Sequence, residues 1–143
     1  MVLPTSAADP RPRLKTALVR RGHTQPLMDG TVARQGLEFD IEDVPDIIAV
    51  FRRMVRGLEF DVSEMAMTTY LCARAHGKRF TAIPVFPRRA FFHTNFACHA
   101  DAPIDGPRDL AHKRIGVAEY VQSATLWARG VLEHDFGLDP RKA

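Results

Sequence analysis

Residues 80–96 read FTAIPVFPRRAFFHTNF. The first seven are largely apolar, with Phe80, Ala82, Ile83, Val85 and Phe86, and such a run predicts a strand buried on both faces. At its carboxyl end it delivers Pro87, Arg88, Arg89 and His93. Ligands of open α/β sheets bind outside the carboxyl ends of the strands, so two guanidiniums and an imidazole there make a candidate anion site. Pro84 and Pro87 stiffen the exit, since each fixes φ and withholds an N–H. The plainer reading makes Arg88 and Arg89 solvated loop residues and His93 a satisfied turn histidine. Spacing alone leaves both open.

Upstream, residues 14–19 (LKTALV) predict the opening strand, followed by the polar turn Arg20, Arg21, Gly22, His23 and Thr24. A short helix is expected over 25–28, closed by Asp29-Gly30. Leu37, Phe39 and Ile41 alternate with Glu38, Asp40 and Glu42, the pattern of a half-buried strand. Pro45 suits a first helical turn, and Ile47, Ile48, Phe51, Met54 and Val55 recur at helical spacing up to Gly57. Arg52, Arg53 and Arg56 near that helix's carboxyl end complement its dipole and read as a solvated face. Residues 60–62 predict a strand that runs into Ser63, a preferred N-cap, with Glu64 in the first turn of a helix through residue 75. Such a junction points backbone N–H groups at the carboxyl edge as an anion cradle. Glu64 is then either a carboxylate complementing the dipole or a general base or hydrogen-bond acceptor for a ligand hydroxyl.

Downstream, residues 95–99 (NFACH) are expected as a strand, and 109–117 (DLAHKRIGV) as a helical turn, a loop and a buried strand. A last helix is expected from about residue 123 to 136, with Gly137 at its C′ position and Pro140 as a stop. Strand and helix alternate throughout, which predicts an α/β fold with a largely parallel sheet.

Length and composition agree with a globular chain: 143 residues, 45% of them hydrophobic, suffice for one core. The net charge of +3 comes from scattered basic residues, and no Lys/Arg run is interleaved with aromatics as a nucleic-acid groove requires. Small acidic ligands suit this charge better. Cys72 and Cys98 lie far apart without metal-finger spacing and read as small buried residues of a reducing compartment. His23, His76, His99, His112 and His134 lack HExxH-type spacing; no cofactor is predicted, and a divalent metal stays open. Residues 1–13 read as a flexible lead-in without a secretory signal, and no apolar stretch reaches membrane-spanning length. A cytoplasmic protein without membrane insertion is expected.

The runs EFDVSEM (59–65), AIPVFPRR (82–89) with His93, DLAHKRIGV (109–117) and AEYVQSATLWARGVL (118–132) together resemble the 4,5-dihydroxyphthalate decarboxylases and their close relatives. These form a branch of the type II periplasmic-binding-protein superfamily. The resemblance implies two α/β lobes around a cleft, with residues 14–96 forming most of the first lobe. Residues 97–143 would be the crossover and the incomplete start of the second lobe, so an amino-terminal fragment is expected. Where the family usually has Gly before its Lys-Arg pair, this sequence has His112, a poor occupant if that position needs φ > 0.

The resemblance further implies a carboxy-lyase that releases carbon dioxide from a dihydroxylated aromatic dicarboxylate. In that scheme Arg88 and Arg89 hold the carboxylate that stays, and His93 or Glu64 supplies the proton. Ser63, Tyr120, Gln122, Ser123 and Thr125 would bind the rest of the substrate, the alternative for the last set being N-capping by Ser123 and core packing of Tyr120 and Trp127. The implied partner is a small aromatic acid, with homo-oligomerisation open. The rival reading is the substrate-binding protein of an ABC transporter for a small anionic solute.

Overall fold

A computed structural model describes residues 11–32, 36–139 and 141–142; the expected lead-in lies outside the described residues as far as residue 10. Two compact units emerge, one within Met1–Met65 and Lys78–Pro87, the other within Ala66–Gly77 and Arg88–Ala143.

The first unit holds a three-stranded parallel sheet of order β2-β1-β3, with β1 at Arg13–Ala17, β2 at Glu38–Ile41 and β3 at Val62–Ser63. Leu14 lies opposite Phe39 and Thr16 opposite Ile41, while Thr16 and Ala17 face Val62 and Ser63 on the other side. The central strand is therefore β1, whose last residues Thr16 and Ala17 are fully buried. Helix α1 (Gln25–Met28) follows β1, and α2 (Ile47–Gly57) follows β2. Asp46 caps α2, its carboxylate accepting the Ile48 N–H at 2.9 Å. Val50 and Met54 on α2 bury against Ala17 and Phe60, with Val44, Ile47, Met65 and Phe80 around them.

Residues 80–86 form no strand, which corrects the expectation drawn from their composition. Phe80 joins the rim of the core, but Ile83, Val85 and Phe86 are 66, 62 and 56% exposed. The cause is local. The Val85 N–H donates to the Ile83 carbonyl at 2.7 Å, closing a tight turn on Pro84, and neither Pro84 nor Pro87 can donate to a ladder.

A charged clamp closes one side of this unit. Arg53 on α2 donates to both carboxylate oxygens of Glu42 and through Nε to Glu59 at 2.8 Å, and its guanidinium lies 4.6 Å from the Phe60 ring centroid. Arg53 is thus a bridge rather than part of a solvated face. Its hydrogen bonds hold the Glu42 carboxyl below the ordinary 4.5 despite opposing desolvation, and Lys15 adds to the effect. A depressed folded-state value contributes stability above the unfolded value and loses it as pH falls through the folded one. The melting temperature is expected to fall below about pH 4.5, and Arg53→Met to flatten that fall; melting curves of both proteins between pH 7 and 3 check this.

The second unit carries α3 (Met67–Ala75), α4 (Ser123–His134) and 3₁₀ turns at Phe92–Asn95 and Pro107–Leu110. Helix α3 starts after Ala66, so Ser63 is not its N-cap. The β1–β3 ladder runs on through the Glu64 N–H, which donates to Ala17 O at 3.2 Å, and this delays the helix. The strands expected over 95–99 and 113–117 are absent, and Ile115 and Val117 are 38 and 48% exposed. All three strands belong to the other unit, leaving these segments no edge within their own. Cys72 and Cys98 are free and exposed, not buried as expected. Helix α4 ends as its sequence predicts: Gly137 takes φ 71°, and the Leu138 N–H returns to Leu132 O at 2.9 Å over two buried leucines. Among the described residues no helix is long and apolar enough to cross a membrane.

His112 has φ 62°, the left-handed conformation suspected from its position, and its N–H donates to Lys142 O at 2.8 Å. Left-handed backbone costs a residue with a Cβ roughly 1–2 kcal/mol, and glycine's extra unfolded-state freedom gives back part of that. His112→Gly is expected to raise stability by about 0.5–1 kcal/mol in urea unfolding.

Candidate functional site

At the carboxyl edge of the sheet, the chain leaving β1 meets the chain leaving β3. Glu64, directly after β3, accepts the Val19 N–H and an Arg21 guanidinium N–H on the same oxygen, each at 2.7 Å. Its side chain is 9% exposed and that of Arg21 24%. Thr24, 7% exposed, ties the same loop from within: its hydroxyl accepts the Arg21 N–H at 2.8 Å and donates to Val19 O at 2.7 Å. Arg20 donates to Gln25 Oε1 at 2.8 Å, and Gly22 and His23 are exposed. A parallel sheet offers a ligand site at this edge, and residues 19–24, which follow β1, lie along it.

The other expected site residues, Arg88, Arg89, His93, Tyr120, Gln122, Ser123 and Thr125, belong to the second unit. Helix α4 separates some of them. His93, on the Phe92–Asn95 turn, bonds through Nε2 to Asp135 Oδ2 at 3.0 Å, just past the carboxyl end of α4. Phe92 beside it stacks on Trp127 with ring centroids 6.4 Å apart. Ser123 begins the same helix, which at 1.5 Å per residue over its twelve residues is about 18 Å long. His93 and Ser123 therefore lie at opposite ends of α4.

Ser123 does not cap α4; Gln122 holds that position without a side-chain cap bond. The Ser123 hydroxyl pairs instead with Thr68 Oγ1 at 2.6 Å and accepts the Thr68 N–H at 3.3 Å, joining the first turns of α3 and α4. Thr125 is buried, Gln122 is exposed, and Tyr120 is 63% exposed. The Arg129 guanidinium lies 4.2 Å from the Tyr120 ring centroid. Helical side chains lean toward the amino terminus, which brings Arg129 back over Tyr120. Arg88 and Arg89 are exposed, and among the described residues no carboxylate pairs with them. Nor does any group of three or more His, Cys, Asp or Glu residues among them form a metal cluster.

Sequence reasoning missed Arg21, Thr24, Thr68, Arg129 and Asp135. Arg21 and Thr24 had a readable signal, since they stand in the polar turn after the opening strand. Asp135 had none, because its partner is 42 residues away.

No protein-family model matches the chain. Over 129 residues, 88% of its length, the chain is 36% identical to a 4,5-dihydroxyphthalate decarboxylase of Comamonas testosteroni and spans 38% of that protein. Over 117 residues, 80% of its length, it is 39% identical to a 4,5-dihydroxyphthalate decarboxylase of Pseudomonas putida and spans 44% of it. The chain thus covers less than half the length of either relative.

Proposed function

We propose that this chain, similar along most of its length to two 4,5-dihydroxyphthalate decarboxylases, contributes to the non-oxidative decarboxylation of 4,5-dihydroxyphthalate to 3,4-dihydroxybenzoate and carbon dioxide. The observation that carries the reading is that similarity, at 36–39% identity over 80–88% of the chain. The proposal includes the type II periplasmic-binding-protein architecture, with a first lobe over residues 14–96 and the start of a second over residues 97–143.

The chemistry is intelligible from ring electronics. A hydroxyl para to the departing carboxylate pushes electrons into the ring, and the carbon bearing that carboxylate takes a proton. The carbon–carbon bond then breaks, its electron pair restores the aromatic ring, and carbon dioxide leaves. Arg88 and Arg89, exposed and without a carboxylate partner among the described residues, serve as the guanidiniums for the carboxylate that stays. His93 is the better of the two proton donors because its side chain is 47% exposed, against 9% for Glu64. Asp135 orients the imidazole through Nε2 and leaves Nδ1 to carry the proton. Tyr120, Gln122, Ser123 and Thr125 stand at the other end of α4 from His93 and are assigned no contact with the same ring; Arg129 stacks on Tyr120 there.

Incubating the purified chain with 4,5-dihydroxyphthalate tests the proposal, with 3,4-dihydroxybenzoate followed by chromatography and carbon dioxide by trapping. Stoichiometric appearance of both is expected. Saturable binding without product would favour a solute-binding protein, and neither binding nor product would refute both readings.

A further inference from the structure

We infer that Glu64 is a positioning residue for ligand binding, not a proton donor: with Thr24 it holds residues 19–24 as a wall of the site at the sheet's carboxyl edge. This rests on the proposed function and on the rule that parallel sheets take ligands at their carboxyl edge. A group that hands a proton to a substrate must touch it, and Glu64 has 9% of its side-chain surface left. Its Oε1 is engaged by two donors at 2.7 Å, the Val19 N–H and the Arg21 guanidinium. These partners lie 45 and 43 residues away, so the carboxylate closes a long loop of chain onto the sheet. The buried Thr24 hydroxyl adds the second tie, to Arg21 N and Val19 O at 2.8 and 2.7 Å. With both ends pinned, Arg20, Gly22 and His23 are presented in one arrangement. A preorganised loop binds without the cost of ordering it at the moment of contact.

The test compares the wild-type chain with Glu64→Ala, Glu64→Gln and Thr24→Ala, by calorimetry with 4,5-dihydroxyphthalate and with phthalate, and by amide hydrogen exchange. Glutamine keeps an oxygen for the Val19 N–H. Positioning therefore predicts affinity within about 3-fold of wild type for Glu64→Gln and at least a roughly 10-fold loss for Glu64→Ala, with exchange at Val19 faster by a similar factor. Should Glu64→Ala fail to fold, Thr24→Ala is expected to show the same loss, restored by Thr24→Ser. Unchanged affinity in both alanine variants overturns the inference while leaving the proposed function standing. Full binding with turnover abolished equally in Glu64→Gln and Glu64→Ala also overturns it, in favour of acid–base work. If the wild-type chain binds neither compound, the proposed function falls and the inference falls with it.

Discussion

Phe60→Ala is expected to cost about 3–5 kcal/mol, the range for removing a buried aromatic ring. Phe60 is 3% exposed and packs with Ala17, Val50 and Met54, so its ring occupies the only buried cluster of the sheet-bearing unit among the described residues. Lys15 and Arg53 also sit over the ring, at 5.2 and 4.6 Å from its centroid, and lose that seat. Native domains are stable by about 5–15 kcal/mol, so a loss of this size leaves the unit marginal or unfolded. Phe86→Ala is the control. Its side chain is 56% exposed, and substitutions at such sites stay within about 0.5 kcal/mol. Urea unfolding of the two variants measures the contrast. Equal destabilisation would mean that Phe86 is packed as deeply as Phe60.

If the proposed decarboxylation holds, His93→Ala is expected to slow carbon dioxide release by at least about 100-fold, the lower end of what a positioned proton donor supplies. Stability should barely change, because His93 and Asp135 are 47 and 52% exposed and such pairs contribute little. Asp135→Asn should cost less, on the order of 10-fold, and should move the pH profile, since it leaves the imidazole in place but alters what holds Nε2. Turnover measured against pH for wild type and both variants separates these outcomes. Undiminished release by His93→Ala would place the proton donor elsewhere and leave His93 as a turn histidine.

Several elements were legible because their causes are local. Alternating apolar residues placed β2, helical spacing placed α2, and the Asp29-Gly30 pair closed α1 where the polar turn predicted it. Gly137 ended α4 through its own conformation, and His112 showed the positive φ that a glycine position implies. The candidate site was legible only as a list of residue types. The surroundings of its residues depend, in one unit, on Val19 and Arg21 meeting Glu64 and, in the other, on Thr68 meeting Ser123 and on His93 meeting Asp135, all pairs more than forty residues apart.

What the amino-acid order determined by itself was β1 and β2, the helix α2, the glycine that ends α4 and the similarity to two decarboxylases. Each follows from neighbouring side chains or from matching residues in order. Only the tertiary structure decided which apolar runs became strands and which carboxylate was tethered. A strand needs a hydrogen-bonding edge supplied by another part of the chain, and β1 has one on each side while residues 80–86 and 113–117 have none. In the same way, Glu64 is read as a holder rather than a donor because of the two N–H groups that reach it across the fold.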